Sequence, residues 1–162
     1  MDKTSSEFQA LQKSDMIIER AVDKDAHEIA RVFRRSFKTA LPSVSTLHSE
    51  EEDRQYFSQK VLPKNEVFVA RDADGQIVGF IAFDKEFIHH LYVLPDVTGQ
   101  GTGGRLLNIA KAQRSRLRLW TFQKNEIAKR FYGKHGFTAI KETDGAENEE
   151  NEDDVLFEWT AT

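Results

Sequence analysis

Residues 93–105 read VLPDVTGQGTGGR, and the fold is decided by this stretch. An apolar strand, Phe87 to Val93, runs through Pro95 into a loop with glycines at 99, 101, 103 and 104. An amphipathic helix then begins. Without side chains, consecutive amides can turn toward one ligand, and the helix start adds unpaired N–H groups and a positive dipole end. Such a device binds a pyrophosphate. A nucleotide P-loop would need Gly-Lys-Ser/Thr, but Arg105 and Leu106 follow the last glycine. Gly99, Gly101 and Gly104 spell the dinucleotide pattern G-x-G-x-x-G, which also needs a carboxylate about twenty positions on, at the end of the next strand. That strand, Leu117–Phe122, contains none. The third reading is an acyl-coenzyme A site, and the downstream sequence favours it.

Downstream lies NEIAKRFYGKHGF, Asn125 to Phe137. The two segments together resemble the GNAT superfamily of N-acetyltransferases. V-x-P-x-x-x-G-x-G-x-G-x-x-L-L aligns from Val93 to Leu107, and N-x-x-A-x-x-F-Y-x-x-x-G-F from Asn125 to Phe137. The acidic stretch Thr143–Glu150 is similar to one carried by small bacterial members whose acceptors are mostly unassigned. One departure is Thr98, where the family usually has Arg or Gln.

The resemblance implies an α+β (mixed α/β) fold. A twisted central mixed sheet of about seven strands is flanked by four helices, with splayed fourth and fifth strands. It implies acetyl-CoA as co-substrate, with no metal. The pantetheine arm bonds the backbone of Leu91, Tyr92 and Val93. The pyrophosphate rests on amides of Thr98, Gly99, Gln100, Gly101, Thr102, Gly103 and Gly104, with Arg105 the nearest base. Asn125 contacts the coenzyme arm while remaining free to cap its helix. Tyr132 is the general acid that protonates the departing thiolate. A phenol with a pKa of about 10 holds its proton at neutral pH. Ile127, Ala128, Phe131, Tyr132 and His135 also share one helical face, the pattern of a core aromatic.

The general base is expected at His89, where some family members hold Glu, with His90 and Glu86 as alternatives. Neighbouring strand residues point to opposite faces, so at most one histidine faces the cleft, and the pair cannot chelate one metal. Trp120 and Gln123, on and after the fifth strand, are candidate substrate contacts, as are Glu149 and Glu150 in the acidic loop. A carboxylate cluster there would concentrate and orient a cationic amine. The alternative is a solvated hairpin loop.

Bulk properties narrow the classes further. The chain has 162 residues, enough for one domain with a sizeable core. With no Cys, there is no disulfide framework, thiolate zinc site or cysteine acyl-enzyme. No apolar run approaches the roughly twenty residues of a membrane span, and a cytoplasmic location is expected. Residues 1–14 lack the apolar core of a signal peptide and read as a flexible extension, with a helical turn around Phe8 and Leu11. Residues 15–162 then form a single acyltransferase domain. Net charge is −4, yet Glu142–Asp154 holds eight carboxylates and no base, leaving the rest of the chain at +4. Arg105, Lys111, Arg114, Arg116 and Arg118 cluster where a phosphate ligand would want them; ordinary solvated helix surface is the alternative. No basic stripe is interleaved with aromatics, so nothing suggests nucleic acid as a partner.

Along the chain, Met16–Ala21 alternates as a strand, and Asp25 with Glu28 marks a helix start. Ile29, Phe33 and Phe37 form its apolar stripe up to Pro42. Ser49 and Glu52 form a capping box opening a second helix, which Pro63 closes. Strands 66–71 and 76–83 flank an Asp72–Gly75 hairpin turn. After the glycine loop come a helix, strand 117–122, helix 125–135, and two strands, 137–141 and 155–159.

The expected activity is acetyl transfer from acetyl-CoA to a primary amine by direct attack on the thioester. The acceptor is a small cationic amine or an amino-acid-like molecule. A non-catalytic acyl-CoA-binding domain and a protein N-acetyltransferase are the alternatives. Dimers are common in the family, so the resemblance admits a homodimer, but the sequence does not fix the oligomeric state.

Overall fold

The computed structural model of the chain describes residues 16–162. The expected extension 1–14, with its helical turn around Phe8 and Leu11, lies outside the described residues. Seven strands and four helices follow among them. They are β1 (Ile17–Arg20), α1 (Ala26–Ala40), a composite α2, β2 (Glu66–Arg71), β3 (Ile77–Phe83), β4 (Ile88–Val93), α3 (Thr102–Gln113), β5 (Arg116–Phe122), α4 (Glu126–Lys134), β6 (Thr138–Thr143) and β7 (Asp154–Thr160). Helix α2 runs Glu50–Tyr56, widens to a π turn at Phe57–Val61 and ends over Leu62–Lys64.

Local chemistry sets these boundaries. The Ser49 hydroxyl accepts from the Glu52 amide while the Glu52 carboxylate accepts from the Ser49 amide, both at 3.1 Å, closing the expected capping box. The start of α1 differs from the sequence reading. Asp25 does not cap the helix; its carboxylate accepts from the Val22 amide at 2.9 Å and pairs with Arg71 at 2.8 Å. Glu28 instead accepts from the Ile77 amide on β3 at 3.2 Å. Both acids have been recruited to join α1 to the sheet.

The strands do not form one continuous sheet. β1-β2-β3-β4 make one antiparallel sheet and β5-β7-β6 another. A single parallel bridge, Phe87 to Arg118, joins them, with the Arg118 amide donating to the Glu86 carbonyl at 2.9 Å. Beyond that rung β4 and β5 diverge, and the expected splay is the gap they leave. The core is centred on β3, which is buried along its whole length. Phe57, Phe80, Phe83, Ile29, Leu106 and Leu117 are among its fully enclosed members. Burying each such side chain is worth about 1.5–3 kcal/mol.

Candidate active site

The glycine loop presents bare amides at the C-terminal end of β4. The first main-chain bond of α3 runs from the Arg105 amide to the Gly101 carbonyl at 3.1 Å, so the amides of Thr102, Gly103 and Gly104 have no helical partner. Gly101 is the N-cap at φ +81°, a left-handed conformation that favours glycine. Gly103 and Gly104 serve a second purpose. A Cβ on Gly103 would stand 3.3 Å from Phe131, and one on Gly104 would stand 3.2 Å from His135. Their smallness lets α4 pack against α3.

Side chains around this turn point elsewhere. The Thr98 hydroxyl donates to the Pro95 carbonyl at 2.9 Å, and the buried Thr102 hydroxyl reaches the Met16 sulfur at 3.1 Å. Arg105 donates to the Met16 carbonyl at 3.4 Å from both terminal nitrogens. Any grip by Thr98, Gly99 and Thr102 on a diphosphate is therefore a main-chain one. The remaining bases expected near a phosphate are structural. Lys111 donates to the His135 carbonyl and lies 5.1 Å from the Trp159 ring centre. Arg114 pairs with Glu66 at 3.4 Å, Arg116 with Glu86 at 3.2 Å and Arg118 with Glu158 at 2.7 Å.

Register along β4 separates backbone from side-chain roles. The Leu94 amide donates to the Val78 carbonyl at 2.8 Å, and Tyr92 pairs with Phe80. By antiparallel alternation the peptide groups of Tyr92 face β3, whereas those of Leu91 and Val93 face the gap toward β5. Leu91 and the Val93 amide thus offer a strand edge without a strand partner to an amide-bearing ligand, and Tyr92 does not. The Val93 carbonyl accepts from the Ser36 hydroxyl of α1 at 3.1 Å, and Ser36 is only 7% exposed. This edge and the bare amides beyond it suit the two amides and the diphosphate of coenzyme A.

On the α1 side of the gap is a cavity of about 460 Å³. Phe37, Tyr92, Phe122 and a 44% exposed Trp120 give it aromatic walls. Glu147, Glu150 and Asp154 supply carboxylates, with Lys141 beside them and Asn125 at its edge. The Asn125 carbonyl oxygen caps α4, accepting from the Ala128 amide at 3.0 Å, which leaves its amide donors for the cavity. Asp154 is held by Thr143 and by Asn148 at 3.1 Å.

Of the expected substrate contacts, Trp120 and Glu150 line this space and two others do not. Glu149 turns away to His48 at 3.2 Å, clasping the acidic loop to α2, where Glu52 also meets His48. Those carboxylates raise the His48 pKa, the Glu149 hydrogen bond most. Gln123 ties the end of β5 to β7, donating to the Asp154 carbonyl at 3.3 Å.

The histidines are also sorted. His89 is exposed and bonded to Asp84 at 2.6 Å, on the face of β4 opposite Tyr92. This arrangement does not fit a base in the cavity. His90 points inward among Phe33, Phe57, Phe80 and Tyr92, with Nε2 3.4 Å from the Tyr56 hydroxyl and a buried Nδ1 that has no partner among the described residues. Burial lowers its pKa to about 3. Glu86 lies remote from the cavity, paired with Arg116.

Tyr132 is 7% exposed and packs on Phe131, Phe137 and Phe157. It follows Asn125 by two helical turns and so shares that residue's face of α4. Burial pushes its phenol well above the ordinary value, and Tyr92 adds to the rise. Tyr92 is pushed up in the same way, by burial first and then by Glu150 and Tyr56. The cavity contributors that sequence reasoning missed include Phe37, Lys141, Glu147, Asn148, Asp154 and Tyr92 in its role as a wall. Strand alternation could have signalled Tyr92 alone.

Residues 63–139 match the family model described as acetyltransferase (GNAT) domain. An uncharacterized N-acetyltransferase of Mycobacterium tuberculosis is 31% identical over 130 residues, covering 70% of this chain and 83% of that protein. The chain belongs to the GNAT superfamily of N-acetyltransferases. A second GNAT relative, named peptidyl-lysine N-acetyltransferase YjaB, from Salmonella typhimurium, is 28% identical over 74% of this chain and 81% of its own. The GNAT fold is seen again in the PaiA N-acetyltransferase of Thermoplasma acidophilum, crystallised with coenzyme A. Its TM-score is 0.72 at 22% identity, covering 90% of this chain and 99% of that one. As a GNAT acetyltransferase this enzyme uses acetyl-CoA as its acyl donor. No helix among the described residues is long and apolar enough to cross a membrane.

Proposed function

We propose that this single-domain enzyme acetylates a small cationic primary amine, which binds in the cavity between the β4–β5 gap and the acidic loop. The observation carrying this reading is the pairing of aromatic walls with Glu147, Glu150 and Asp154 around one space of about 460 Å³. Aromatic faces and carboxylates both attract ammonium groups. In this reading the thioester lies along Leu91 and Val93, with its diphosphate on the amides of residues 99–104. The amine loses a proton to solvent or to a cavity carboxylate, then attacks the acyl carbon directly. Tyr132 protonates the departing sulfur. A lysine side chain presents the same chemistry on a longer apolar arm, and the name of the YjaB relative, a peptidyl-lysine N-acetyltransferase, supports peptidyl-lysine as a second acceptor class.

The test is a panel of 1,4-diaminobutane, free lysine and an N-blocked lysine peptide, following release of free CoA. Tyr132→Phe should cut turnover by about 100-fold or more while leaving the acetyl-CoA Kd unchanged. Wild-type turnover in that variant would remove Tyr132 from the chemistry, and no turnover of any amine by the parent enzyme would remove the acceptor class.

A further inference from the structure

Among the described residues, Lys141 is the one base that lines the amine cavity, and a bulge puts it there. Along β6, Ala139 stands opposite Phe157 on β7 and Lys141 opposite Leu156, so β6 fits two residues where β7 advances by one. In an unbroken register Ile140 would meet Leu156, and Lys141 would lie opposite the buried Val155, on the other face of the sheet. The extra residue brings Lys141 to the face it shares with Thr143 on its own strand, Asp154 on β7 and Trp120 on β5. All of these are walls of the cavity. The bulge leaves Ile140 47% exposed, so apolar cover is not what it gains.

Lys141 also differs from its neighbours in having its charge to itself. Lys124 pairs with Glu152 at 3.0 Å and Lys129 with Glu126 at 3.1 Å. Lys141 forms no ion pair among the described residues, although Glu147, Glu150 and Asp154 line the same space. The cavity therefore holds three carboxylates and a separate positive pole. A simple diamine is attracted by the first and repelled by the second. The complementary ligand carries ammonium groups together with one anion of its own.

We propose that Lys141 binds a carboxylate of the acceptor, which makes the acceptor a free diamino acid rather than a diamine. This rests on the reading of the cavity as an amine site given above. Strand β6 lies two strand spacings, about 10 Å, from β5 and the thioester gap beyond it. An acceptor anchored through its carboxylate at Lys141 keeps its α-ammonium on the β6 side of the cavity. Its side chain then spans the sheet, and the terminal amine is the nitrogen that meets the thioester.

The experiment pairs ornithine with 1,4-diaminobutane and lysine with 1,5-diaminopentane, so that only a carboxylate differs within each pair. The parent enzyme should show a kcat/KM about tenfold or more higher for the amino acid, the size expected of one charge-assisted contact. NMR of the product should find the acetyl group on the side-chain nitrogen. Lys141→Met keeps the apolar arm without its charge. It should raise the amino-acid KM at least about tenfold and lower the diamine KM, because a repelling charge has gone. Lys141→Arg should bring the amino-acid KM back, and Lys141→Glu should turn the preference toward the diamine. A purely structural role for Lys141 in β6 would move both members of a pair alike. Equal kcat/KM within the pairs for the parent overturns the proposal, as does equal loss of both substrates in Lys141→Met. So does acetylation of the α-nitrogen, or turnover of the blocked peptide alone. Each of these leaves acetyl transfer to an amine standing, whereas a parent enzyme that acetylates no amine sinks both readings.

Discussion

Replacing Gly145 by Ala should disable the acceptor site without touching the donor site. Gly145 sits at φ +78° in the acidic loop, and a Cβ there would lie 2.2 Å from the Glu152 carbonyl oxygen and 2.7 Å from its nitrogen. These are main-chain atoms, so no rotamer change relieves the clash. The loop must part from Glu152, and the bonds that shape it are then at risk. Asn148 Nδ2 donates to the Glu152 carbonyl at 2.8 Å, the Glu152 amide donates to Asn148 Oδ1 at 3.2 Å, and the Gly145 amide donates to the Thr143 hydroxyl at 3.1 Å. A shut loop keeps its three bonds but holds a left-handed alanine, about 1 kcal/mol, and a main-chain overlap that nothing relieves; an open loop forfeits the bonds at about 1 kcal/mol net each, about 3 kcal/mol together. Opening is the cheaper course and limits the global loss to about that sum. Glu147, Asn148 and Glu150 leave the cavity wall when the loop opens. The amine KM should rise at least about tenfold, the size expected from losing one or two charged contacts. The acetyl-CoA Kd should not move, because the bare amides of the glycine turn belong to a different segment. Steady-state kinetics with the panel amines, beside titration of acetyl-CoA, reads both. An unchanged amine KM in Gly145→Ala would show that the acidic loop is no part of the acceptor site.

Other outcomes follow from the same geometry. His90 is held neutral with a pKa lowered to about 3, below the unfolded value of about 6.5, so the unfolded chain binds more protons in that window. Stability should therefore fall by a few kcal/mol as pH drops from about 6.5 to about 3, and His90→Phe should flatten that limb in urea melts. His48 has the opposite sign. Its raised pKa means that the clasp to Glu149 and Glu52 is complete below about pH 6.5 and is lost as pH climbs through the raised value. Hydrogen exchange of residues 144–153 should accelerate with pH beyond its intrinsic trend, and His48→Ala should abolish the difference. Glu150→Gln should raise the KM of a cationic amine several-fold and blunt its dependence on salt, since carboxylate attraction is screened over about 10 Å at 0.1 M. Acetyl-CoA at about 100 times its Kd should add about 2.7 kcal/mol, raising the melting temperature by about 5–10 °C. Equal concentrations of NAD should leave it unchanged.

The order of elements was legible because each carries its own local signal. Ser49 and Glu52 formed the box their spacing announces, and Asp72–Gly75 made the hairpin. Asp25 and Glu28 had the same signal but went to Arg71 and Ile77, partners remote in sequence that propensity cannot see. Alternation along β4 told that His89 and His90 face opposite ways, yet not which face is which. That depends on Asp84 accepting one and the phenylalanine cluster enclosing the other. Charge counting located the acidic loop but not its register, so Glu149 and Glu150 looked equivalent until His48 claimed one of them. The bases on α3 and β5 read as a phosphate patch because a single sequence does not reveal that Glu66, Glu86 and Glu158 stand opposite them. The π turn at Phe57–Val61 had no signal at all.

That wide turn in α2 has an implication for how the enzyme can change. It slips the second half of the helix relative to the first by one position, so that Phe57 and Val61 are both enclosed while Tyr56 emerges beside His90. Deleting a single residue there would let the spiral tighten to ordinary pitch and swing Tyr56 away by roughly 100°. One codon would thus withdraw the phenol that meets His90, the ring packed behind the cavity residue Tyr92, and so reach the acceptor space from a helix that supplies none of its lining.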